Sequence, residues 1–528
     1  MLGWVKGSSS NHPLDRKDAK AVLADDVARL NPVAALDVLA GYLSDIKTTE
    51  GLRPRRIFEI VDLIDRTGTP LQRKLGYEYL AGRENLTKFR ENRLWSATFT
   101  YYKELADGYR LCLAEYQMGA GGASALKGIL PDIACHAIRA CAAQMKWLLF
   151  RHGPIEQRLW QEIGSIYRLA QTLGFARTEG KVAAHVKSTA ERELLRAAML
   201  AVSSPDALVP VQIEIADRII DRLSGGFRLA ARPASGIFYV LDLTGSRAPG
   251  RLSAIPVTDS ETGCFGPGDA FGKLEGAVRF MDQHKAPPQD LVVGEGFETD
   301  AIHATLIHLL RYWSPAPPER RDARRRHTEP ITVVHDFDEV LAAVAGLFVE
   351  SPYISNEEEW LIENESEGGF GAFVEHTQGA WLSVGKLIAI RRDEGTAWGA
   401  GVVRRISMDE KRNRYVGIEM LAHGGTAVTI TADALSARGS AIPARGEVCV
   451  LLPSSVANSG EALLLMRAGL FSPAERLLMS VYDRKYSLRP LKIVQQSAEF
   501  DLGCYRITQL VHHKSNVARA RDASESSL

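Results

Sequence analysis

Apolar residues recur at helical spacing from about Asn31 to Leu223 and lose that spacing afterwards, and this change of period constrains the fold more than any motif. The stretch "NPVAALDVLAGYLSDI" opens with Asn31 in an N-cap position and Pro32 in the first turn, then sets Leu36, Leu39, Leu43 and Ile46 on one face. "RRIFEIVDLIDRTG" repeats the pattern through Ile57, Ile60, Val61 and Ile64 and is expected to stop near Gly68. "VPVQIEIADRIIDRL" adds Ile213, Ala216, Ile220 and Leu223. Residues 1–223 are therefore expected to form an α-helical domain.

Within it, Trp160, Ile163, Gly164 and Tyr167 partly resemble one tetratricopeptide-type helical pair. Such units need stacked neighbours to bury their faces, so a single copy predicts an isolated helical hairpin. The aromatic stripe of Trp95, Phe99 and Tyr102 reads as core. After "LSGGF" the pattern changes: "GIFYVLDL" predicts a strand, and "DAFGKLEGAVRFMDQH" and "TDAIHATLIHLLRYW" predict helices, which makes 224–313 a small α+β module. A Pro-rich break, "SPAPPERRDA", follows. From there short strands with turn residues between them predict two β modules, 314–423 and 424–513, before a polar tail at 514–528. The expected fold class is multidomain: an α-helical N-terminal domain, a small α+β connector, an antiparallel β-barrel and a further β module.

Lys+Arg and Asp+Glu both number 64, so the whole-molecule field offers no general attraction to nucleic acid or to an anionic membrane, and anion binding has to be local. The six cysteines lack the CxxC spacing of zinc ribbons and redox dithiols and do not read as a secreted disulfide framework. The opening "MLGWVKGSSSNHP" has no apolar core of signal-peptide length, and no run approaches the roughly 20 apolar residues of a membrane span. These features predict a cytoplasmic protein without membrane insertion.

The most charged stretch, "RRDARRRHTEP", stands directly before the β-branched "ITVVHDF" and holds two overlapping R-x-x-x-R pairs, Arg320 with Arg324 and Arg321 with Arg325. Downstream, "NESEGGFGAF" sets Asn364, Ser366 and Gly369 in an N-x-S-x-x-G pattern at a strand-edge turn, and "WGAGVVRRI" and "YVGIEML" supply Gly-punctuated strands. Taken together, arginine pair, motif and closing strand resemble the PilZ domains, bacterial β-barrel receptors for cyclic di-GMP, over roughly 318–423. The resemblance implies a PilZ-like barrel, cyclic di-GMP as ligand, and a site containing Arg320, Arg321, Arg324, Arg325, Asn364, Ser366 and Gly369.

The residue chemistry suits that ligand. A guanidinium can pair bidentately with guanine O6 and N7, grip phosphate oxygens or stack on a purine, which a lysine cannot do in all three ways. The Asn364 amide and Ser366 hydroxyl can bond a second base edge, and Gly369 permits close backbone approach. Arg321 and Arg325, nearer the strand, are expected to clamp one side while Asn364 and Ser366 read the other. Glu365 and Glu367 are expected to alternate away from Ser366, and the interval before Asn364 holds an apparent helix, "FDEVLAAVAGLF".

No G-x-S-x-G, Walker A or dinucleotide GxGxxG follows a predicted strand, His303 and His308 are five apart and share no helix face, and no catalytic or metal site is expected. The expected function is a cyclic di-GMP receptor that transmits binding to a protein partner or to a neighbouring domain. Two alternatives stand beside it: an interaction adaptor with a degenerate PilZ-like barrel, and a nucleic-acid-binding protein using the arginine run. The second β module has neither an arginine pair nor a second NxSxxG, so one site region per chain is expected.

Overall fold

The computed structural model describes residues 10–510 except 82–85, 255–260, 292, 295, 317–324, 348–356, 376–380, 393–396, 434–440, 444, 454–459 and 483. The chain divides into two units, 1–320 with 407–412, and 321–406 with 413–528.

The first unit is built on helices α1 (Ala19–Ala28), α2 (Pro32–Thr48), α3 (Pro54–Ala81), α4 (Lys88–Gln117), α5 (Leu130–Leu149), α6 (Gln157–Thr172), α7 (Ala190–Val202) and α8 (Pro210–Leu223). Asn31 caps α2, its Oδ1 accepting from the backbone of Val33 and Ala34, each at 3.1 Å. Helix α3 does not stop at Gly68; it runs through Gly68 and Pro70 to Ala81. A Cβ at Gly68 would lie 2.2 Å from the Tyr101 hydroxyl, so this glycine lets α4 approach closely and does not end the helix.

A small hairpin, β1 (Gly180–Ala183) with β2 (Val186–Ser188), precedes α7. A four-stranded antiparallel sheet then follows, ordered β3 (Arg228–Ala230), β6 (Thr262–Gly266), β4 (Tyr239–Asp242), β5 (Gly250–Arg251), together with α9 (Ala270–His284) and α10 (Thr299–Trp313). The mixed module shares one hydrophobic core with the helices, reaching from Leu14 through Tyr101 and Trp160 to Phe265 and Trp313.

The Trp160 to Tyr167 stretch is a single amphipathic helix packed on this sheet. A Cβ at Gly164 would lie 2.3 Å from the Leu243 carbonyl, and one at Gly245, φ +74°, would lie 2.3 Å from the Gln161 nitrogen. Two glycines thus let α6 and the turn after β4 touch backbone to backbone. Gly164→Ala is accordingly expected to cost about 1–3 kcal/mol through overpacking, read as a lower unfolding midpoint by far-UV circular dichroism.

The second unit contains two closed, antiparallel six-stranded barrels. The first comprises β7 (Arg325–Val334), β8 (Glu358–Ser366), β9 (Gly369–Val374), β10 (Leu387–Arg392), β11 (Gly399–Met408) and β12 (Arg414–Ala422); the second comprises β13 (Thr426–Ala432), β14 (Glu447–Leu452), β15 (Glu461–Arg467), β16 (Leu477–Val481), β17 (Arg484–Gln496) and β18 (Phe500–Gln509). Numbered within each barrel, the strands run first, second, third, sixth, fifth, fourth and back to first in both. The second β module therefore repeats the topology of the first.

Each barrel has its own interior, around Val333, Trp360, Ile388 and Ile418 in the first and around Ile430, Leu464, Leu488 and Tyr505 in the second. A third cluster joins them. Helix α11 (Phe337–Val344) buries Val340, Leu341 and Val344 with Leu387, Ala400 and Val402 of the first barrel and Val450, Leu465 and Phe500 of the second. Arg467 ties it from the second barrel, bonding Asp338 at 2.5 Å and lying 4.8 Å over the Phe337 ring.

Candidate functional site

The segment carrying the N-x-S-x-x-G pattern is the hairpin between β8 and β9, closed by Glu367 and Gly368. The Ser366 hydroxyl donates to the Gly369 carbonyl at 3.0 Å across the turn. Gly369 has φ +154°, and a Cβ there would lie 2.1 Å from the Ile418 carbonyl on β12, so only glycine fits.

Two register shifts decide which way the neighbouring side chains face. Ile362 pairs with Ala372, but the next pair is Asn364 with Gly371, so β8 holds an extra residue relative to β9. Ile362 and Ala372 are buried in the barrel interior. The bulge turns Asn364 to the outside, over Gly371, where a Cβ would lie 2.8 Å from Asn364 Nδ2 and 2.9 Å from Oδ1. A second shift, in β7 between Arg326 and Glu329, brings Arg326 opposite Asn364 and Arg325 opposite Glu365.

Directly opposed residues share a face, so Arg326 stands on the outer face with Asn364, whereas Arg325 stands with Glu365. Glu365 pairs with the buried Phe370, and its carboxylate bonds Arg392, which also bonds Glu329 at 2.9 Å. Glu365 is thus turned off the Asn364 face and its charge is matched by Arg392. Of the other sequence-predicted arginines, Arg320, Arg321 and Arg324 lie outside the described residues. Arg325 opens β7, one residue before the strand position facing Asn364. The helix anticipated between the arginines and the motif is α11, which follows β7 at its far end.

The outer face continues across the barrel. Gly371 pairs with Gly417 on β12, and a Cβ at Gly417 would lie 3.4 Å from Arg405 Cβ on β11. One row therefore reads Arg326, Asn364, Gly371, Gly417, Arg405: two bare glycines flanked by polar groups, with Arg326 and Arg405 both exposed. The adjacent row holds Ser366, Gly369 and Glu419, and Glu419 accepts from Arg404 Nε at 2.5 Å. Arg404 also donates to Gln495 of β17 in the second barrel at 2.6 Å. Arg326, Gly371, Gly417 and Arg405 were not among the residues singled out from sequence; the available signal was a glycine two residues beyond the motif's own, in "GGFGAF".

At the opposite end of the interior, His335 stacks on Trp381 at 4.0 Å, and Glu358 accepts from the indole nitrogens of Trp360 and Trp381 at 3.0 and 2.8 Å. Burial holds the His335 imidazole below its ordinary value. Among the described residues no group of three His, Cys, Asp or Glu side chains could hold a metal ion, and no helix is long and apolar enough to cross a membrane. His303 pairs with Asp282 at 2.8 Å and His308 bonds the Ser203 carbonyl at 2.6 Å.

A closed six-stranded barrel with N-x-S-x-x-G on its second hairpin strand and arginines at the head of its first strand defines a PilZ domain, and the first barrel belongs to that family. More particularly, residues 355–426 match the middle PilZ domain of the cyclic-di-GMP receptor FimW, and residues 17–234 match the N-terminal domain of the same receptor. The chain is similar to FimW in both domains, in the same order. No curated protein matches the chain. The arginine run, β7, α11 and most of the second barrel lie outside the matched segments.

Proposed function

We propose that this chain is a cyclic di-GMP receptor, a binding protein and not an enzyme, which holds the dinucleotide on the outer face of the first barrel. The observation that carries the reading is the bulge-directed placement of Asn364 over Gly371, beside Ser366 and directly opposite Arg326 at the end of the arginine run. Arg326 supplies a guanidinium beside Asn364, and the arginines ahead of it in sequence, Arg320, Arg321 and Arg324, supply theirs to phosphate and base; Arg325, opposite Glu365, is assigned no base contact. Asn364 and Ser366 bond a guanine from below, and Gly369 keeps the backbone close. The similarity to a named cyclic-di-GMP receptor supports the same reading.

Binding passes to a protein partner in the cytoplasm by way of the second barrel. The support is the Arg404 to Gln495 bond, which joins the ligand-bearing face to β17, and the apolar wedge of α11 between the barrels.

Calorimetric titration of the whole chain with cyclic di-GMP tests the assignment. The wild type is expected to bind, and Asn364→Ala and the Arg325→Ala/Arg326→Ala pair are each expected to weaken binding by about tenfold or more. Absence of heat in the wild type removes the receptor reading. Equal binding of cyclic di-GMP, cyclic di-AMP and mixed oligonucleotides, with affinity collapsing as salt rises, would move the arginines to nonspecific nucleic-acid contact.

A further inference from the structure

We infer that Arg405 is a base-reading residue of the same face, gripping the O6/N7 edge of a guanine whose opposite edge meets Asn364. The inference rests on the receptor reading above and adds a wall that neither the arginine run nor the N-x-S-x-x-G pattern contains.

Gly371 and Gly417 are directly paired on adjacent strands with their missing side chains on the outer face. Four neighbouring strands, β8, β9, β12 and β11, carry Asn364, Gly371, Gly417 and Arg405 in one row. With strands about 4.8 Å apart, the Asn364 and Arg405 backbones stand roughly 14 Å from each other, the Asn364 amide leaning over Gly371 and the Arg405 stem beside Gly417. A purine laid flat over the two glycines covers the central strands and turns its edges toward the flanking ones.

The edges then select the base. Asn364 Oδ1 can accept from the N2 amino group of guanine while its Nδ2 donates to N3, and the planar fork of Arg405 donates to both acceptors on the opposite edge, O6 and N7. Adenine offers an N6 amino group where O6 would be, which sets donor against donor at Arg405. Arg405 is exposed and rises from a strand whose Val403 and Ile406 are fixed in the core, so its backbone is anchored while its side chain reaches over the floor. Its neighbour Arg404 bonds Glu419 and Gln495.

The test is titration of the full chain with cyclic di-GMP and cyclic di-AMP, using wild type, Arg405→Ala, Arg405→Lys and Asn364→Ala, with thermal unfolding of each. Arg405→Ala is expected to unfold at the wild-type temperature and to bind cyclic di-GMP about tenfold or more weakly, with a reduced preference over cyclic di-AMP. Arg405→Lys is expected not to restore either, because an ammonium cannot bond both acceptors. Full rescue by lysine would overturn the base-reading role in favour of charge alone. Wild-type affinity in Arg405→Ala beside a loss in Asn364→Ala would overturn the inference and leave the receptor reading standing. A wild type that binds neither dinucleotide would remove both.

Discussion

Replacing Gly371 with valine is expected to abolish cyclic di-GMP binding, by about 100-fold or more, while leaving the first barrel as stable as before. A Cβ at this position would lie 2.8 Å from Asn364 Nδ2, 2.9 Å from Oδ1 and 3.1 Å from Cγ, so any side chain pushes the amide off its place over the floor. The branched methyl groups would also stand where a flat purine has to lie. Losing the amide and the stacking surface together removes two contributions of about 1–3 kcal/mol each. The fold should tolerate the change, because Gly371 does not occupy a positive-φ conformation, its side-chain direction is outward, and valine is favoured in strands by up to about 1 kcal/mol. The neighbouring Gly369→Ala behaves oppositely: at φ +154° and 2.1 Å from the Ile418 carbonyl, it should unfold the hairpin before it affects any ligand. Calorimetry and thermal unfolding of both variants distinguish the two glycines. Near-native affinity in Gly371→Val would show that the outer row is not the binding surface.

Only part of this site was legible in the sequence, and the boundary has a physical basis. The helices of the first unit announce themselves because each buries one stripe, so Leu36, Leu39, Leu43 and Ile46 or Ile213, Ala216 and Ile220 write the core directly into the spacing. Gly68 misled because a glycine required for close approach to Tyr101 has the same letter as one that ends a helix. Strand β17 is hidden because Pro490 interrupts it; the barrel accommodates the proline at the edge of a register shift, Pro490/Lys492, with a second shift following at Ile493/Gln495. The motif residues Asn364, Ser366 and Gly369 could be found by spacing because they lie on one hairpin. Arg326 could not, since its face depends on a bulge that no local pattern announces. Arg405 depends on pairings between strands far apart in sequence, as does the common strand order of the two barrels. Strand signals were readable; closure and register were not.

Arg196→Met is expected to destabilise the first unit by about 3–5 kcal/mol, the largest single loss this structure predicts away from the ligand face. Three helices are joined there by buried charge. Glu193 on α7, 2% exposed, receives Arg196 at 2.8 Å and Arg139 of α5 at 2.9 Å, and Arg196 also reaches Asp221 of α8 at 2.9 Å. Burial alone would raise the Glu193 carboxyl; the two guanidinium groups more than reverse it and hold the group below its ordinary value. A carboxyl depressed in the folded state contributes stability that is fully present above the unfolded value and is lost as pH falls through the folded one. Removing Arg196 takes away the larger of the two cationic contributions, and burial then pushes Glu193 upward. The gap between wild type and variant should therefore be widest near neutral pH and narrow as pH falls, first as the variant's Glu193 is protonated and relieved of a buried charge, then as the wild type loses its ion pair on passing through its depressed value below the ordinary carboxylate range. Adding Glu193→Leu to Arg196→Met should recover at least half of the loss, since an apolar pair leaves no carboxylate stranded. Urea unfolding followed by helical circular dichroism at several pH values measures all of this, and a pH-independent gap would show that Arg196 stabilises the unit by packing its stem and not by holding Glu193 ionised.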